Sequence, residues 1–148
     1  MTREQALELF DTLNVWKRGD QRAPHKPLLI LYALGRYSQG HGRLISYAEI
    51  DEEVKQLLIE FGPPRQSHHP EYPFWRLQND GIWTVAESEK FERRKGKSDA
   101  KKSELIKYNA EGGFVQPLFD LMQADAGLVR TIVERILEEF FAASIRED

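Results

Sequence analysis

Apolar side chains recur along most of the chain at the spacing of three and four residues that is typical of amphipathic helices. This periodicity predicts helices over about residues 3–14, 47–60 and 127–143. Between the first two lies LLILYALGRY, which is apolar on nearly every side and is therefore expected to form the central helix of the core, with Pro27 as its first residue. Residues 103–113 and 117–122 predict two shorter helices, the first ended by a glycine pair.

The signals for β-structure are short. Residues 43–45 are a strand candidate, and the runs FWRLQ and IWTV are separated by Asn79-Asp80-Gly81. This triplet favours a hairpin, because a tight turn needs the positive φ that Asn, Asp and Gly tolerate. The chain is therefore predicted to be one domain, residues 1–148, mainly α with a small β-hairpin (α+β). The order of its elements is that of a winged helix.

Composition narrows the class of protein. The length of 148 residues suits a single domain, and 41% apolar with 30% charged residues is an ordinary globular composition. The absence of cysteine excludes a disulfide scaffold, a thiolate zinc finger, an iron–sulfur cluster and a Cys nucleophile, and it suits a reducing cytoplasm, the expected location. No apolar run approaches the ~20 residues of a membrane span, and the amphipathic N-terminus does not resemble a signal peptide, so no membrane partner is expected.

The distribution of charge matters more than its sum. A net charge of −3 argues at first against a ligand as anionic as DNA. However, residues 15–46 carry six basic side chains against one acidic, and residues 90–107 carry eight against three, so each segment is +5 and the remainder is −13. Two basic surfaces suited to a polyanion are therefore predicted. The predicted helix 47–60 is −4 and would be repelled by phosphates in a major groove, the position it takes in a winged helix.

Two segments are unusual enough to suggest binding chemistry. Arg22, His25 and Lys26 directly precede a helix, where cations and backbone N–H groups together predict a phosphate site; the alternative is a loop whose prolines only set the helix entry. The second segment is HHPEYPFWR, residues 68–76. Its successive apolar side chains cannot all face one core if it is a strand, so some should line a cleft beside cations; the alternative is core packing. Phe74 and Leu77 are expected to pack inward.

Catalytic patterns are missing from the sequence. There is no glycine-rich phosphate loop, no HNH-like pattern and no GxSxG elbow, so no catalytic residue is predicted. His68 and His69 are adjacent, so their side chains diverge, and neither a metal site nor a cofactor is predicted. Three alternatives stay open: a winged-helix transcription regulator, a small metal-dependent nuclease that uses these histidines with nearby acids, and an adaptor or homodimer that associates through the C-terminal helix.

The segments APHKPLLILYALGR and HPEYPFWRLQNDGIW, with GGF at residues 112–114, resemble the sulfur-binding domain of phosphorothioation-dependent restriction endonucleases. Those enzymes recognise DNA in which one non-bridging phosphate oxygen is replaced by sulfur. The resemblance extends from about Leu7 to the C-terminal helix. It implies a mostly helical domain that seats the sulfur of phosphorothioated double-stranded DNA in a small apolar cavity rimmed by cationic and polar groups. The HNH nuclease module of the family is absent from this sequence, so cleavage is expected from another domain or partner.

The resemblance also implies roles for individual residues. Tyr72 and Pro73 match the cavity wall, to which Trp75 and Arg76 are expected to contribute. The residues expected to contact phosphates or bases are Arg22, His25, Lys26, His69, Arg93, Arg94, Lys95 and Lys97. The loop 93–102 is the candidate for reading bases, since Arg and Lys suit guanine edges. A cavity of this kind favours sulfur over oxygen, because an oxyanion costs more to desolvate and the polarisable thio group regains dispersion contacts.

Overall fold

Helices make up most of the structure, a computed structural model that describes residues 1–15, 17–18, 21–64, 67–94 and 99–141. The helices are α1 (Arg3–Asp11), α2 (His25–Ser38), α3 (Tyr47–Phe61), α4 (Glu71–Arg76), α5 (Lys102–Lys107), α6 (Gln116–Ala124) and α7 (Ala126–Phe141). The strands are β1 (Lys17–Arg18), β2 (Gln21–Arg22), β3 (Ile45–Ser46), β4 (Trp83–Val85) and β5 (Glu111–Phe114). The predicted α+β class is confirmed. None of the described helices combines the length and the apolar character needed to cross a bilayer.

The central helix of the core is α2, as its apolar sequence predicts. It packs against α3, α4 and α7, and its most deeply buried side chains are Leu28, Leu29, Ile30, Ala33 and Leu34. Each fully buried Leu or Ile contributes roughly 1.5–3 kcal/mol through removal of apolar surface from water. The helix begins at His25 after Pro24, two residues before the predicted start, because Pro27 is tolerated within a first turn whose N–H groups have no intrahelical partner.

A three-stranded antiparallel sheet of order β3–β5–β4 packs beside these helices, and its central strand contains the glycine pair. A Cβ on Gly113 would lie 1.9 Å from the carbonyl oxygen of Arg43, and one on Gly112 would lie 2.7 Å from Trp83 Nε1 and 2.8 Å from Phe74 Cε2. The pair therefore permits close packing in a strand. Its assignment to the end of a helix was wrong, and Asn109, with φ of 50°, takes the left-handed position after α5 instead.

The predicted hairpin around Asn79-Asp80-Gly81 is also wrong. Residues 71–76 form α4, and a 3₁₀ turn follows over Leu77–Asp80, ended by Gly81 with φ of 77°. Positive φ serves a helix end as well as a hairpin turn, so the triplet alone does not separate the two. The winged-helix order fails at the same point, since a helix replaces the first strand of the wing. Phe74 and Leu77 are fully buried, as predicted.

The remaining boundaries differ by a few residues. The first helix ends at Asp11, before the predicted end at residue 14, and it begins with a capping box between Thr2 and Gln5. Before α2, the short strands β1 and β2 pair with each other in antiparallel fashion. The last helix buries Phe141 and leaves Phe140 half-buried against the core. Not every helix packs on α2: α5 has its main contact with α3, and α6 with α7.

Candidate nucleic-acid interface

A cleft of about 690 Å³ lies where the start of α2 faces α4. It brings together residues from both of the unusual sequence segments. Its lining consists of Asn14, Val15, Ala23, His25, Lys26, Tyr72, Pro73 and Arg76. The wall therefore combines apolar surface with positively charged groups, the mixture expected for a ligand that is both anionic and partly apolar.

One wall of the cleft is built by α4. Pro73 is buried in its first turn, where the N–H that proline lacks would have no helical partner. Tyr72 and Arg76 are four residues apart, so a helix places them on the same face, and the guanidinium carbon of Arg76 lies 4.5 Å from the centroid of the Tyr72 ring. The helical conformation thus creates the wall that a strand would have split between two faces.

The Tyr72 ring is held in place by two further side chains. His69 stacks on it with ring centroids 4.7 Å apart and an interplanar angle of 16°. Arg94 donates from Nη1 to the Tyr72 hydroxyl at 3.0 Å, with its guanidinium carbon 5.3 Å from the ring centroid. With Arg76, these contacts order the ring before any ligand arrives and reduce the entropy lost on binding.

Arg76 is fixed by the carboxylate of Asp99. Its Nε and Nη2 donate to the two carboxylate oxygens of Asp99, each at 2.9 Å. The Asp99 side chain is only 8% exposed. These hydrogen bonds raise the pKa of Arg76 above its usual range, so the guanidinium stays charged while the bidentate geometry holds it rigid. The backbone of Asp99 is held as well, because the N–H of Arg94 donates to its carbonyl at 2.8 Å.

The opposite wall is fixed by a buried ion pair. Lys26 donates from Nζ to Asp80 Oδ2 at 2.6 Å and to the Asn14 carbonyl at 2.8 Å, and the N–H of Asn14 donates to Asp80 Oδ1 at 2.8 Å. The side chains of Lys26 and Asp80 are 13% and 3% exposed. The pair joins the start of α2 to the turn after α4, and it leaves one of the three ammonium N–H groups of Lys26 without a partner among the described residues.

His69 is engaged on both ring nitrogens. Nδ1 donates to Glu71 Oε2 at 3.1 Å, and Ser67 Oγ lies 3.1 Å from Nε2. Glu71 is buried, and its Oε1 has no hydrogen-bond partner among the described residues. His69 is therefore placed to support Tyr72 rather than to project into the cleft.

The structure separates Trp75 from the other predicted cavity residues. Successive residues of a helix point about 100° apart, so Trp75 leaves the face that carries Tyr72 and Arg76. It is buried with its ring 6.2 Å from that of Phe91, and the guanidinium carbon of Arg93 lies 4.4 Å from its ring centroid. Trp75 does not line the cleft, so its assignment to the cavity is corrected: its ring packs between Phe91 and the guanidinium of Arg93.

Three of the predicted contact residues cannot be placed in the site, and some residues of the site were not predicted. The side chain of Arg22 and the whole of Lys95 and Lys97 lie outside the described residues. The lining residues Asn14, Val15 and Ala23 carry no sequence signal for binding. Asp80 and Asp99 were missed as anchors; the only clue is that Asp99 is a lone acid within a basic run.

The acidic surface of α3 is partly neutralised by neighbours. Glu49 accepts hydrogen bonds from Arg36 and Tyr32, which lower the pKa of its carboxyl although burial acts in the opposite direction. Asp51 pairs with Lys55 and Lys102. Within the described ranges, no three His, Asp or Glu side chains lie close enough together to hold a metal ion.

Comparison with known proteins identifies the family. The sequence model described as "ScoMcrA-like, DNA sulfur-binding domain" matches residues 3–148. The chain belongs to this family. The sulfur-binding domain of ScoMcrA, solved with phosphorothioated DNA, has 20% identity and a TM-score of 0.84, with 95% of this chain and 91% of that chain covered. The sulfur-binding domain of SprMcrA, also solved with phosphorothioated DNA, has 25% identity and a TM-score of 0.72, with 97% and 88% covered.

The chain also matches one part of a longer protein. The chain aligns with 26% of the type IV phosphorothioation-dependent restriction endonuclease ScoMcrA at 20% identity and a TM-score of 0.79, with 96% of this chain covered. No curated protein matches the chain. The resemblance predicted from the two sequence segments is therefore confirmed.

Proposed function

We propose that this sulfur-binding domain binds phosphorothioated double-stranded DNA and seats the sulfur in the cleft against Tyr72, Pro73 and the face of Arg76. The observation that carries the proposal is the cleft itself, in which the buried Pro73 and the half-buried Tyr72 ring meet fixed cations. Membership of the family supports it, as do the domains of ScoMcrA and SprMcrA that were solved with such DNA.

Selectivity for sulfur follows from the cost of desolvation. A phosphate oxygen that enters the cleft loses water against Pro73 and the Tyr72 ring without gaining a comparable number of hydrogen bonds there. The larger and more polarisable sulfur holds its water less strongly and gains dispersion contact with the same surfaces. Arg76 stays positive beside it without needing to reorganise, since Asp99 already fixes its position.

The remaining contacts are proposed to hold the backbone around the modified step. Lys26 offers its third N–H, and His25 lies beside it in the cleft lining. Arg94, which contacts the Tyr72 hydroxyl, is placed to reach a neighbouring phosphate or base edge. The domain acts in this proposal as the recognition module of a modification-dependent restriction system, with cleavage supplied elsewhere. Incubation of phosphorothioated DNA with the domain and Mg²⁺ or Mn²⁺ is expected to leave the DNA intact.

The central test is a competition gel shift with two duplexes of one sequence that differ in a single sulfur, with both phosphorus stereoisomers measured. Wild-type protein is expected to prefer one sulfur duplex by about ten-fold or more, equivalent to about 1.4 kcal/mol. Equal affinity for sulfur and oxygen duplexes would refute the proposal.

Variants then locate the sulfur. Pro73→Ala and Tyr72→Ala should lower the sulfur preference, whereas Pro63→Ala, at an exposed proline after α3, should not. Tyr72→Phe keeps the ring and loses the hydroxyl bonded to Arg94, so it should weaken binding while the preference persists. If Pro73→Ala and Pro63→Ala retain the same preference, the sulfur does not sit against Pro73.

A further inference from the structure

A row of aromatic rings and cations continues from the cleft wall to an exposed tyrosine. The guanidinium of Arg93 lies over the Trp75 ring, and the centroid of this ring lies 6.2 Å from that of Phe91. Phe91 in turn lies 6.2 Å from the ring of Tyr108. We name the outer end of this row, Lys90, Phe91, Lys107 and Tyr108, the distal patch.

The distal patch pairs one exposed ring with two ammonium groups. The Nζ atoms of Lys90 and Lys107 lie 5.6 Å and 5.1 Å from the centroid of the Tyr108 ring, and Lys90 Nζ also lies 5.6 Å from that of Phe91. Tyr108 is 43% exposed, so its ring is not a core residue. Cations over an aromatic face are attracted by its negative potential, and this contact orients both lysines.

The backbone presents Tyr108 in a fixed position. The N–H of Ala110 donates to the carbonyl of Leu105 at 2.9 Å, and that of Asn109 donates to Ile106 at 3.2 Å. With Asn109 left-handed, these two bonds form the Schellman arrangement that ends α5. Tyr108 is therefore held at a well-defined helix end, with its ring close to that of Phe91.

The lysines of the patch are available to an anion. Lys90 pairs with Glu87 at 2.9 Å, but both side chains are well exposed, so this pair is weak and exchangeable. Among the described residues, Lys107 forms no ion pair at all. Lysine and tyrosine side chains are common donors to phosphate and sugar oxygens of DNA. An apolar protein surface would have to desolvate both ammonium groups without compensation, which disfavours it as the occupant.

We propose that the distal patch binds backbone phosphates of the same duplex at a distance from the modified step, so that the DNA follows the row of rings and cations from the cleft to Tyr108. The placement of the cleft end rests on the proposed function. The patch itself is expected to contact ordinary phosphates, so its contribution does not depend on sulfur.

The test compares the Lys90→Gln/Lys107→Gln double variant with wild type on two duplexes that share one central modified step. The short duplex has about 8 base pairs and the long one about 30, at 3.4 Å per pair. On the long duplex the variant should bind about three- to ten-fold more weakly, and its salt slope should fall by about 1.8, because each phosphate contact contributes about 0.9. On the short duplex the two proteins should bind alike. Tyr108→Ala should show the same dependence on length.

Arg130→Gln is the matched control, since it removes one exposed positive charge from α7, whose main contacts are with α1, α2 and α6. It should bind both duplexes as wild type does. A double variant that keeps the wild-type salt slope on the long duplex overturns the proposal. The same measurement on a long unmodified duplex separates the two proposals. Equal affinity of the wild type for the modified and unmodified duplexes refutes the proposed function, whereas a double variant that matches the wild-type affinity and salt slope on the unmodified duplex refutes the patch.

Discussion

Asp80→Asn isolates the buried ion pair behind the cleft. The substitution keeps the size of the side chain and one oxygen to accept the N–H of Asn14. It removes the charge opposite Lys26 and puts an NH2 donor in place of the oxygen that accepts from Lys26 Nζ. Breaking a buried pair from one side typically costs 3–5 kcal/mol. Here Lys26 is 13% exposed and retains the Asn14 carbonyl, so a loss of about 2–3 kcal/mol is expected.

Urea denaturation with a double-mutant cycle measures this loss. The free energy of unfolding should fall by the stated amount in Asp80→Asn, and the melting temperature by about 5–10 °C for a domain of this size. Lys26→Met removes the other charge and allows the coupling energy to be obtained; it should be about 2 kcal/mol. A coupling energy near zero, or an Asp80→Asn variant within about 0.5 kcal/mol of wild type, would refute the structural role of the pair.

The same two variants have opposite expected effects on DNA. In Asp80→Asn the ammonium of Lys26 remains in the cleft without its counter-charge, so folded protein should bind modified and unmodified DNA more tightly. Lys26→Met should weaken both and lower the salt slope by about one. If Lys26→Met leaves the salt slope unchanged, Lys26 is an anchor of the wall and not a phosphate contact.

Three further predictions concern the sheet, the cleft and pH. Gly113→Ala should cost about 4 kcal/mol or more, seen as a shifted urea midpoint, because its Cβ would meet the Arg43 carbonyl at 1.9 Å; wild-type stability would contradict this. Arg76→Lys keeps the charge and loses the bidentate contact with Asp99, so competition gel shifts should show a sulfur preference as low as that of Arg76→Gln, and a wild-type preference would count against a positioned guanidinium. Burial raises the pKa of Tyr37 from 10.0 to about 12, so the unfolded state loses its proton first, and this residue should lower the free energy of unfolding by about 1.4 kcal/mol per pH unit from 10 to 12. Burial also raises the pKa of Tyr32 and of Tyr47, so denaturation of Tyr37→Phe should show a slope that is shallower by this amount, and an unchanged slope would contradict the assignment.

The helices were predictable because their apolar stripes are long and regular. The errors fall where one residue type serves two purposes. Gly81 is needed for its positive φ at the end of a 3₁₀ turn. Gly112 is needed within a strand, because neighbouring rings leave no room for a Cβ. Local sequence shows that glycine is needed but not which constraint requires it. The strand assignment of residues 74–78 then misplaced Trp75, since the side of the chain on which a residue lies depends on whether the period is 2 or 3.6.

The candidate site was only half predictable for a different reason. The side chains that form the cleft come from segments with unusual composition, so Tyr72, Pro73 and Lys26 stood out. Their anchors did not, because Asp80 and Asp99 lie 54 and 23 residues from the cations they hold. Which of many acids approaches a given cation is decided by tertiary packing, and single-sequence periodicity contains no such information.

These anchors also explain how a chain with a net charge of −3 can offer a surface to DNA. Asp80 and Asp99 form ion pairs with Lys26 and Arg76. These carboxylates therefore fix cations in place instead of repelling phosphate. Long-range attraction then depends on cations with weaker pairing, such as Lys90 and Lys107 on the distal patch. Because the salt slope counts only the cations that contact phosphate, it should be smaller than the number of basic residues in the two segments.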